Sequence, residues 1–341
     1  MRFGFSETCL DHDPGSRHPE SPDRLRAVKR GLQKRHGVTY EGAAPAEEAD
    51  VTAVHDDGYV EEIREFCERG GGNWDPDTAA SEATWPAALA SAGLAMDAVR
   101  AALNGADGRD TPFSLGRPPG HHAVADDAMG FCFVNNAAVA AQHALDEHGL
   151  DRVAIFDWDV HHGNGTQDIF YDRGDVFYAS IHEESLYPGT GAVEETGEGD
   201  GEGTTLNLPL PAGAGDADYT AAVDELVAPA IEAFDPELFL VSAGFDAHRH
   251  DPISRFHVST EGYAMLADRV RAVSDATDAP LAFVLEGGYS LDTLAEGVGV
   301  VHETFDGREP VELDDDEDDV STSVRSVLDE LRDTHQAFGS K

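Results

Sequence analysis

An α/β fold, with a largely parallel sheet covered by helices on both faces, is what this 341-residue sequence predicts. Three observations carry the prediction. Apolar runs of strand length recur at residues 153–156, 238–243 and 281–285, and strands buried on both faces read as unbroken hydrophobic stretches. Helix-forming segments follow each run, the alternation that places parallel strands side by side. Each run also ends in acidic residues, at Asp157 and Asp159, at Asp246 and at Glu286, and ligands of such sheets gather beyond the carboxyl ends of the strands. With 40% hydrophobic residues, no internal repeat and no linker, residues 1–341 read as one domain. Its core would span about 1–307, with an acidic loop and a C-terminal helix in 308–341.

Taken in order, Phe3 to Phe5 can begin an edge strand. Residues 9–22 are too rich in proline and polar groups for regular structure. They read as a loop whose His12 and His18 stay unassigned, since surface-loop histidines are more often solvated. A helix follows from Pro22 through Gly31 or beyond. Another starts after His55 and Asp56 and breaks at Gly70-Gly71-Gly72. Residues 81–104 are an alanine-rich helix that Gly93 can interrupt, with Leu89, Met96, Val99 and Leu103 on its core side. Residues 111–115 suit a short strand, and 130–136 lead into a helix ending near His148. After the run at 153, residues 167–170 begin a helix, 176–182 form a strand and 187–203 a long Gly-rich acidic loop. Residues 206–208 (strand), 219–234 (helix), the runs at 238 and 281 with their helices, and a surface helix at 323–335 complete the chain.

Aspartate and glutamate total 67 against 23 lysine plus arginine, a formal net charge of −44, and Lys29, Lys34 and Lys341 are the lysines. The acids are spread over the chain, although residues 314–319 are a local run. Such a surface repels itself at low ionic strength and is relieved when the Debye length shrinks to about 3 Å in 1 M salt. The composition resembles that of cytoplasmic proteins of salt-accumulating halophiles such as haloarchaea. It argues against nucleic acid or an anionic membrane as partner. Cys9, Cys67 and Cys132 lack CxxC spacing and suggest a reducing compartment. The first residues form no signal region and no later run could span a bilayer, so a soluble, cytoplasmic protein is expected.

Residues 153–165 run from a buried strand into Asp-x-Asp-x-His and stop at Gly163-Asn164-Gly165. Side chains alternate along extended backbone, so Asp157, Asp159 and His161 can share one face. Ionisable groups crowded there are costly to bury unless a cation or strong hydrogen bonds compensate them. Carboxylate and imidazole suit zinc or a similar divalent ion. Asp159, His161 and Asp246 would make a site with an open position for water and substrate. Singly, Asp246 reads equally well as a helix cap and His161 as a hydrogen-bonded core residue. In Arg117-Pro-Pro-Gly-His-His-Ala123 two prolines fix a loop and Gly120 admits a close backbone approach. Its His121 and His122 could be metal ligands, a general acid/base pair or ordinary polar loop residues.

Residues 117–123, 156–167, 242–248 and the Glu-Gly-Gly-Tyr at 286–289 together resemble the histone deacetylase superfamily, in order and separation. The wording is that of its class II, acetylpolyamine amidohydrolase and acetoin-utilisation branch, and the likeness runs from His18-Pro19-Glu20 to about Gly307. The resemblance implies a single-domain arginase/deacetylase-like fold with an eight-stranded sheet. It implies zinc, or ferrous iron in its place, held by Asp159, His161 and Asp246. His122 would be the general base and His121 its electrostatic partner, oriented by Asp157. Tyr289 would be the phenol that meets the developing oxyanion. Asn164 stands where some members carry an aspartate, which would leave His122 a weaker base. Gly130, Phe131 and Tyr187 would line a channel for an acylated aliphatic amine, though Phe131 reads almost as well as plain core. Asp157, Asp159, His161, Ser180 and Ile181 would hold an inner potassium ion.

The implied activity is removal of acetyl or related acyl groups from protein lysines or from small acylated amines. Two departures concern the rim. Arg249-His250 replaces the Arg-Gly frequent in the branch, and Ile253 occupies the place of an acidic gatekeeper in the polyamine-selective member, which slightly disfavours acetylpolyamines although the acidic surface would tolerate them, so an acetylpolyamine amidohydrolase stays the alternative. A two-manganese ureohydrolase would need a paired Asp-x-Asp after Ser242, where one aspartate stands. A catalytically silent acetyl-binding protein would be expected to lack a ligand, the histidine pair or the tyrosine, and all are present.

Overall fold

Short strands and longer helices alternate through the computed structural model, which describes residues 1–310 and 320–335. The strands are β1 (Arg2–Gly4), β2 (Thr39–Glu41), β3 (Gly71–Asn73), β4 (Ala79–Ser81), β5 (Pro112–Ser114), β6 (Val153–Asp157), β7 (Val176–Glu183), β8 (Thr205–Leu210), β9 (Leu238–Ala243) and β10 (Leu281–Leu285). The helices are α1 (Asp23–Leu32), α2 (Glu48–Thr52), α3 (Asp57–Glu68), α4 (Thr84–Leu103), α5 (Asn136–His148), α6 (Asn164–Phe170), α7 (Asp216–Ala222), α8 (Ala228–Phe234), α9 (Thr260–Thr277), α10 (Leu291–Phe305) and α11 (Thr322–Thr334).

Eight strands form one sheet in the order β2-β1-β5-β10-β9-β6-β7-β8, and each neighbouring pair is parallel. Side chains leave the central strands to both faces and are buried on both. Ala154 and Phe156, Phe239 and Val241, Leu281 and Phe283 join one core with α1, α9, α10 and α11. Val153 and Ile155, Leu238 and Leu240, Ala282 and Val284 join a second core with α3 and α5. This two-faced burial is why β6, β9 and β10 read as continuous apolar runs.

Several elements differ from the sequence expectation. β1 is not an edge, because Phe3 pairs with Tyr40 of β2 on one side and Phe113 of β5 on the other. The edge on that side is β2, whose Thr39-Tyr40-Glu41 is exposed and too polar and short to announce itself. α4 runs unbroken through Gly93, where a side chain would sit 2.2 Å from the Ala44 carbonyl oxygen, so this glycine serves close packing. The glycine break at 70–72 opens a small antiparallel hairpin, β3–β4. The helix expected at 219–234 begins at Asp216 and passes through a π turn at Val223–Val227 between α7 and α8. His12 is buried, with a ring nitrogen 2.7 Å from the Thr84 hydroxyl, and is not a solvated loop residue. The acidic run at 314–319 lies in a segment outside the described residues.

Candidate functional site

The site forms where β6, β9 and β10, neighbours at the middle of the sheet, give out. β6 ends at Asp157, and the chain beyond it is not extended. Asp157 Oδ1 accepts the Asp159 N–H at 3.0 Å, and Asp159 Oδ1 accepts the His161 N–H at 2.9 Å. Two successive Asx turns, not strand alternation, thus bring Asp159 and His161 round. Asp246, three residues past β9, reaches across so that its Oδ1 accepts the Val160 N–H at 3.0 Å. The result is a buried group of Asp159, His161 and Asp246 whose potential ligand atoms lie within 4.8 Å of one another. His161 Nδ1 stands 3.0 Å from Asp159 Oδ1 and 3.3 Å from Asp246 Oδ2.

Two observations test whether a cation fits. Asp246 Oδ2 is buried and, although His161 Nδ1 is 3.3 Å away, receives no aligned hydrogen bond, an expensive state for a carboxylate oxygen unless a cation meets it. Opposite it, a side chain at Gly287 would fall 2.2 Å from Asp246 Oδ2 and 2.5 Å from Asp159 Oδ2, so the space between the carboxylates is kept clear by a glycine. The Gly287 N–H donates to Asp159 Oδ2 at 2.8 Å. Two carboxylates and one imidazole form a donor set that suits zinc or ferrous iron.

The loop carrying the histidine pair lies against this group. His121 Nδ1 is 2.9 Å from Asp157 Oδ2, and His122 Nδ1 is 2.8 Å from Asn164 Oδ1. The two rings are 4.0 Å apart, and His122 meets the His161 ring edge-on at 5.8 Å. Their electrostatics diverge. Burial opposes charge on His121, but Asp157 and Asp159 outweigh it and raise its pKa to about 10. Burial drives His122 well below the usual imidazole range, reinforced by His121 and His161. One imidazole is therefore held charged and its neighbour neutral. Burial would raise Asp159, but His121 and His161 hold it well below the ordinary carboxylate range. Burial raises Asp246, and Asp159 adds to the effect.

Tyr289 closes the site from β10. Its phenol is held far above its ordinary pKa by burial, against the opposing charge of Arg24. Its ring meets Phe131 edge-on at 5.7 Å, and Phe131 meets His18 at 4.5 Å. Tyr187 stands edge-on to His122 at 5.1 Å, and a side chain at Gly130 would strike His122 Cδ2 at 2.4 Å and Tyr187 Cε1 at 2.8 Å. Gly130, Phe131, Tyr187 and Tyr289 thus gather around the histidine pair, and Phe131 is half-buried rather than a core residue. Asp157 and Ser180 are direct partners across β6 and β7, and Ile181 is buried beside them. Ser180 Oγ lies 3.0 Å from His182 Nδ1.

Several residues that sequence reasoning missed fix these groups. Arg24 donates from Nε to the Gly288 carbonyl at 2.7 Å and from a terminal nitrogen to the Glu286 carbonyl, with its guanidinium 5.0 Å from the Tyr289 ring centre. Glu20, fully buried, accepts from Arg117 Nε at 2.6 Å and from Arg24 at 3.3 Å. Glu20 lies in the loop before α1, so no helical pattern pairs it with Arg24, and only the fold brings the two together. Asp251 Oδ2 accepts the N–H groups of Tyr289 at 2.7 Å and Ser290 at 2.9 Å. His55 accepts the Asn135 N–H at 2.9 Å and faces the Val124 carbonyl at 2.8 Å, while Asn135 caps α5 and donates to the Ala123 carbonyl.

Comparison with known proteins gives concordant results. The sequence model of the histone deacetylase domain matches residues 18–305. The chain is 39% identical over 311 residues to a histone deacetylase-like amidohydrolase of Pseudomonas aeruginosa, covering 84% of this chain and 81% of that protein. It is 39% identical over 324 residues to a protein named "Probable deacetylase" from Methanothermobacter thermautotrophicus, covering 94% of each. Among solved structures, the crystal structure of the HDA15 HD domain matches with a TM-score of 0.90 at 34% identity, covering 99% of this chain and 94% of that one.

Proposed function

This chain belongs to the histone deacetylase family, and from that premise we propose that it is a zinc-dependent amidohydrolase acting on acetylated or related acylated primary amines. Acetyl-lysine side chains of proteins are the leading substrate class, with small acylated amines second. The observation that carries the reading is the meeting of Asp159, His161 and Asp246 with a neutral His122 and a protonated Tyr289 around one space.

Asp159, His161 and Asp246 would hold the metal. Zinc, when bound there, supplies a Lewis acid that acidifies water and polarises an amide carbonyl. His122 does the proton work. With its Nδ1–H donated to Asn164 Oδ1, its Nε2 carries the lone pair and takes the proton from water. The same nitrogen then returns a proton to the departing amine. His121, charged and anchored to Asp157, stabilises negative charge developing beside it. Tyr289, kept protonated by its surroundings, donates its O–H to the oxyanion. Gly130, Phe131 and Tyr187 suit the methylene chain of the substrate, since aromatic walls exclude water from it. Potassium held by Asp157, Asp159, His161, Ser180 and Ile181 belongs to the same proposal. Asp157 and Ser180 side chains already have protein partners, so backbone carbonyls would supply most of the oxygens.

A substrate panel in concentrated potassium chloride tests the reading, comparing acetyl-lysine peptides, acetylpolyamines and longer acyl-lysines, with metal analysis of the same sample. Hydrolysis of acetyl-lysine peptides by protein carrying one zinc or iron per chain is expected. Fully metallated protein that cleaves none of them would overturn it.

A further inference from the structure

Two arms of the site come from chain segments far apart in sequence, the loop bearing His121 and His122 and the turn bearing Tyr289. One side chain bridges them. Glu286, the residue just after β10, is fully buried, and its Oε2 accepts the backbone N–H groups of Gly120 at 2.8 Å and His121 at 3.2 Å. Its Oε1 lies 3.4 Å from the hydroxyl of Ser242, on β9. Its backbone N–H donates to the Ala243 carbonyl at 3.1 Å, and its carbonyl accepts from Arg24. Two consecutive backbone N–H groups converging on one oxygen form a small anion cradle. Gly120 cannot be replaced in that cradle without loss, because a side chain there would sit 2.4 Å from the Asn136 nitrogen.

We propose that Glu286 is a positioning residue, which holds the histidine loop in register with the tyrosine turn through the Gly120 and His121 amides. This rests on the amidohydrolase reading above. Reacting groups must be held within about 0.5 Å of productive geometry, and a displacement near 1 Å costs on the order of 100-fold in rate. The hydrogen bonds of Glu286 go to Gly120, His121, Ser242, Ala243 and Arg24 and not to Asp159, His161 or Asp246, so its effect should fall on kcat and leave KM in place. Glutamine preserves the geometry: its amide oxygen accepts both N–H groups, and its nitrogen can donate to Ser242.

The test compares Glu286→Met and Glu286→Gln in the metal-loaded protein. Steady-state kinetics are read alongside melting temperature, metal content and amide exchange of Gly120 and His121. Glu286→Met should lower kcat by about 10- to 100-fold with KM and metal content unchanged, and exchange at the two amides should quicken. Glu286→Gln should recover most of that loss. Unchanged kcat in Glu286→Met, even with a lower melting temperature, overturns the proposal, since it reduces Glu286 to satisfying buried donors. A glutamine variant as poor as the methionine one also overturns it, because charge and not geometry would then matter. Should Glu286→Met not fold, the wild-type amides decide: exchange as fast as in an exposed loop refutes the tie. A wild-type protein inactive on every acylated amine defeats the amidohydrolase reading instead, and the exchange comparison still judges Glu286.

Discussion

Replacing Gly287 by alanine places one methyl group between the two carboxylates that would share the metal. The added carbon would lie 2.2 Å from Asp246 Oδ2, 2.5 Å from Asp159 Oδ2 and 3.0 Å from Asp246 Cγ. Ordinary contact begins near 3.4 Å, so the overlap exceeds 1 Å at the closest atom. Gly287 does not adopt the left-handed conformation, so alanine brings no backbone strain and the effect is one of space. Overpacking of this kind costs about 1–3 kcal/mol. At about 1.4 kcal/mol per tenfold, metal binding should weaken about 5- to 150-fold. The assay is zinc retained after dialysis against graded chelator buffers, with Gly58→Ala on exposed α3, where the methyl meets nothing within 4 Å, as the control. Wild-type zinc affinity in Gly287→Ala would refute the placement of the metal between Asp159 and Asp246.

Other outcomes follow from the same geometry. Tyr289→Phe should lower kcat by about 100- to 1,000-fold, and His122→Ala by a similar amount, with zinc content unchanged; either variant at full activity loses its place in the mechanism. Asn164→Asp should raise the His122 pKa by stabilising the imidazolium, so the acid limb of the kcat/KM profile moves to higher pH, by about one unit. The His55 imidazole, neutral between Asn135 and Val124, has its pKa pulled down by burial from 6.5 to about 4. The folded form thus binds fewer protons: the penalty is absent well above pH 6.5, grows as pH falls, and is complete below about 4. It amounts to about 3 kcal/mol, to be read as a difference in pH dependence between wild type and His55→Gln in urea melts. With a net charge of −44, melting temperature and activity should climb toward molar potassium chloride, and a protein most stable in dilute buffer would contradict the screening argument.

What was legible in the sequence was whatever depends on local pattern. β6, β9 and β10 announced themselves because both of their faces are buried, and the acids at their ends marked where chemistry would gather. Asp159, His161 and Asp246 stand at or just past the ends of readable strands and meet as one acid-and-imidazole group, whereas His121, His122 and Tyr289 gain roles only through the family likeness, because a histidine pair on a proline-fixed loop reads as well as ordinary polar residues. What escaped depends on contacts made across the chain. Arg24 lies on a helix like any other, and only the fold sets it over Tyr289. Asp251 stands between the rim residues His250 and Ile253, yet it holds the Tyr289 and Ser290 backbone. The loop beyond Asp157 departs from the expected strand alternation for a related reason. An Asp-x-Asp-x-His run fits extended strand and consecutive Asx turns equally well, and the hydrogen bonds choose the turns.

The order of the central strands has a practical side. The groups that would perform hydrolysis hang from the ends of β10, β9 and β6 and from the proline-fixed loop after β5, while the perimeter around them is drawn from the segments at residues 13–20, 71–81, 187–203 and 248–256. Apart from Glu20, Tyr187 and Asp251, which hold or line the site, those perimeter stretches are surface loops and a small hairpin that can be lengthened, shortened or exchanged with little disturbance to the sheet beneath. A designer wishing to redirect this scaffold toward another acylated amine has an editable border around a fixed reaction centre.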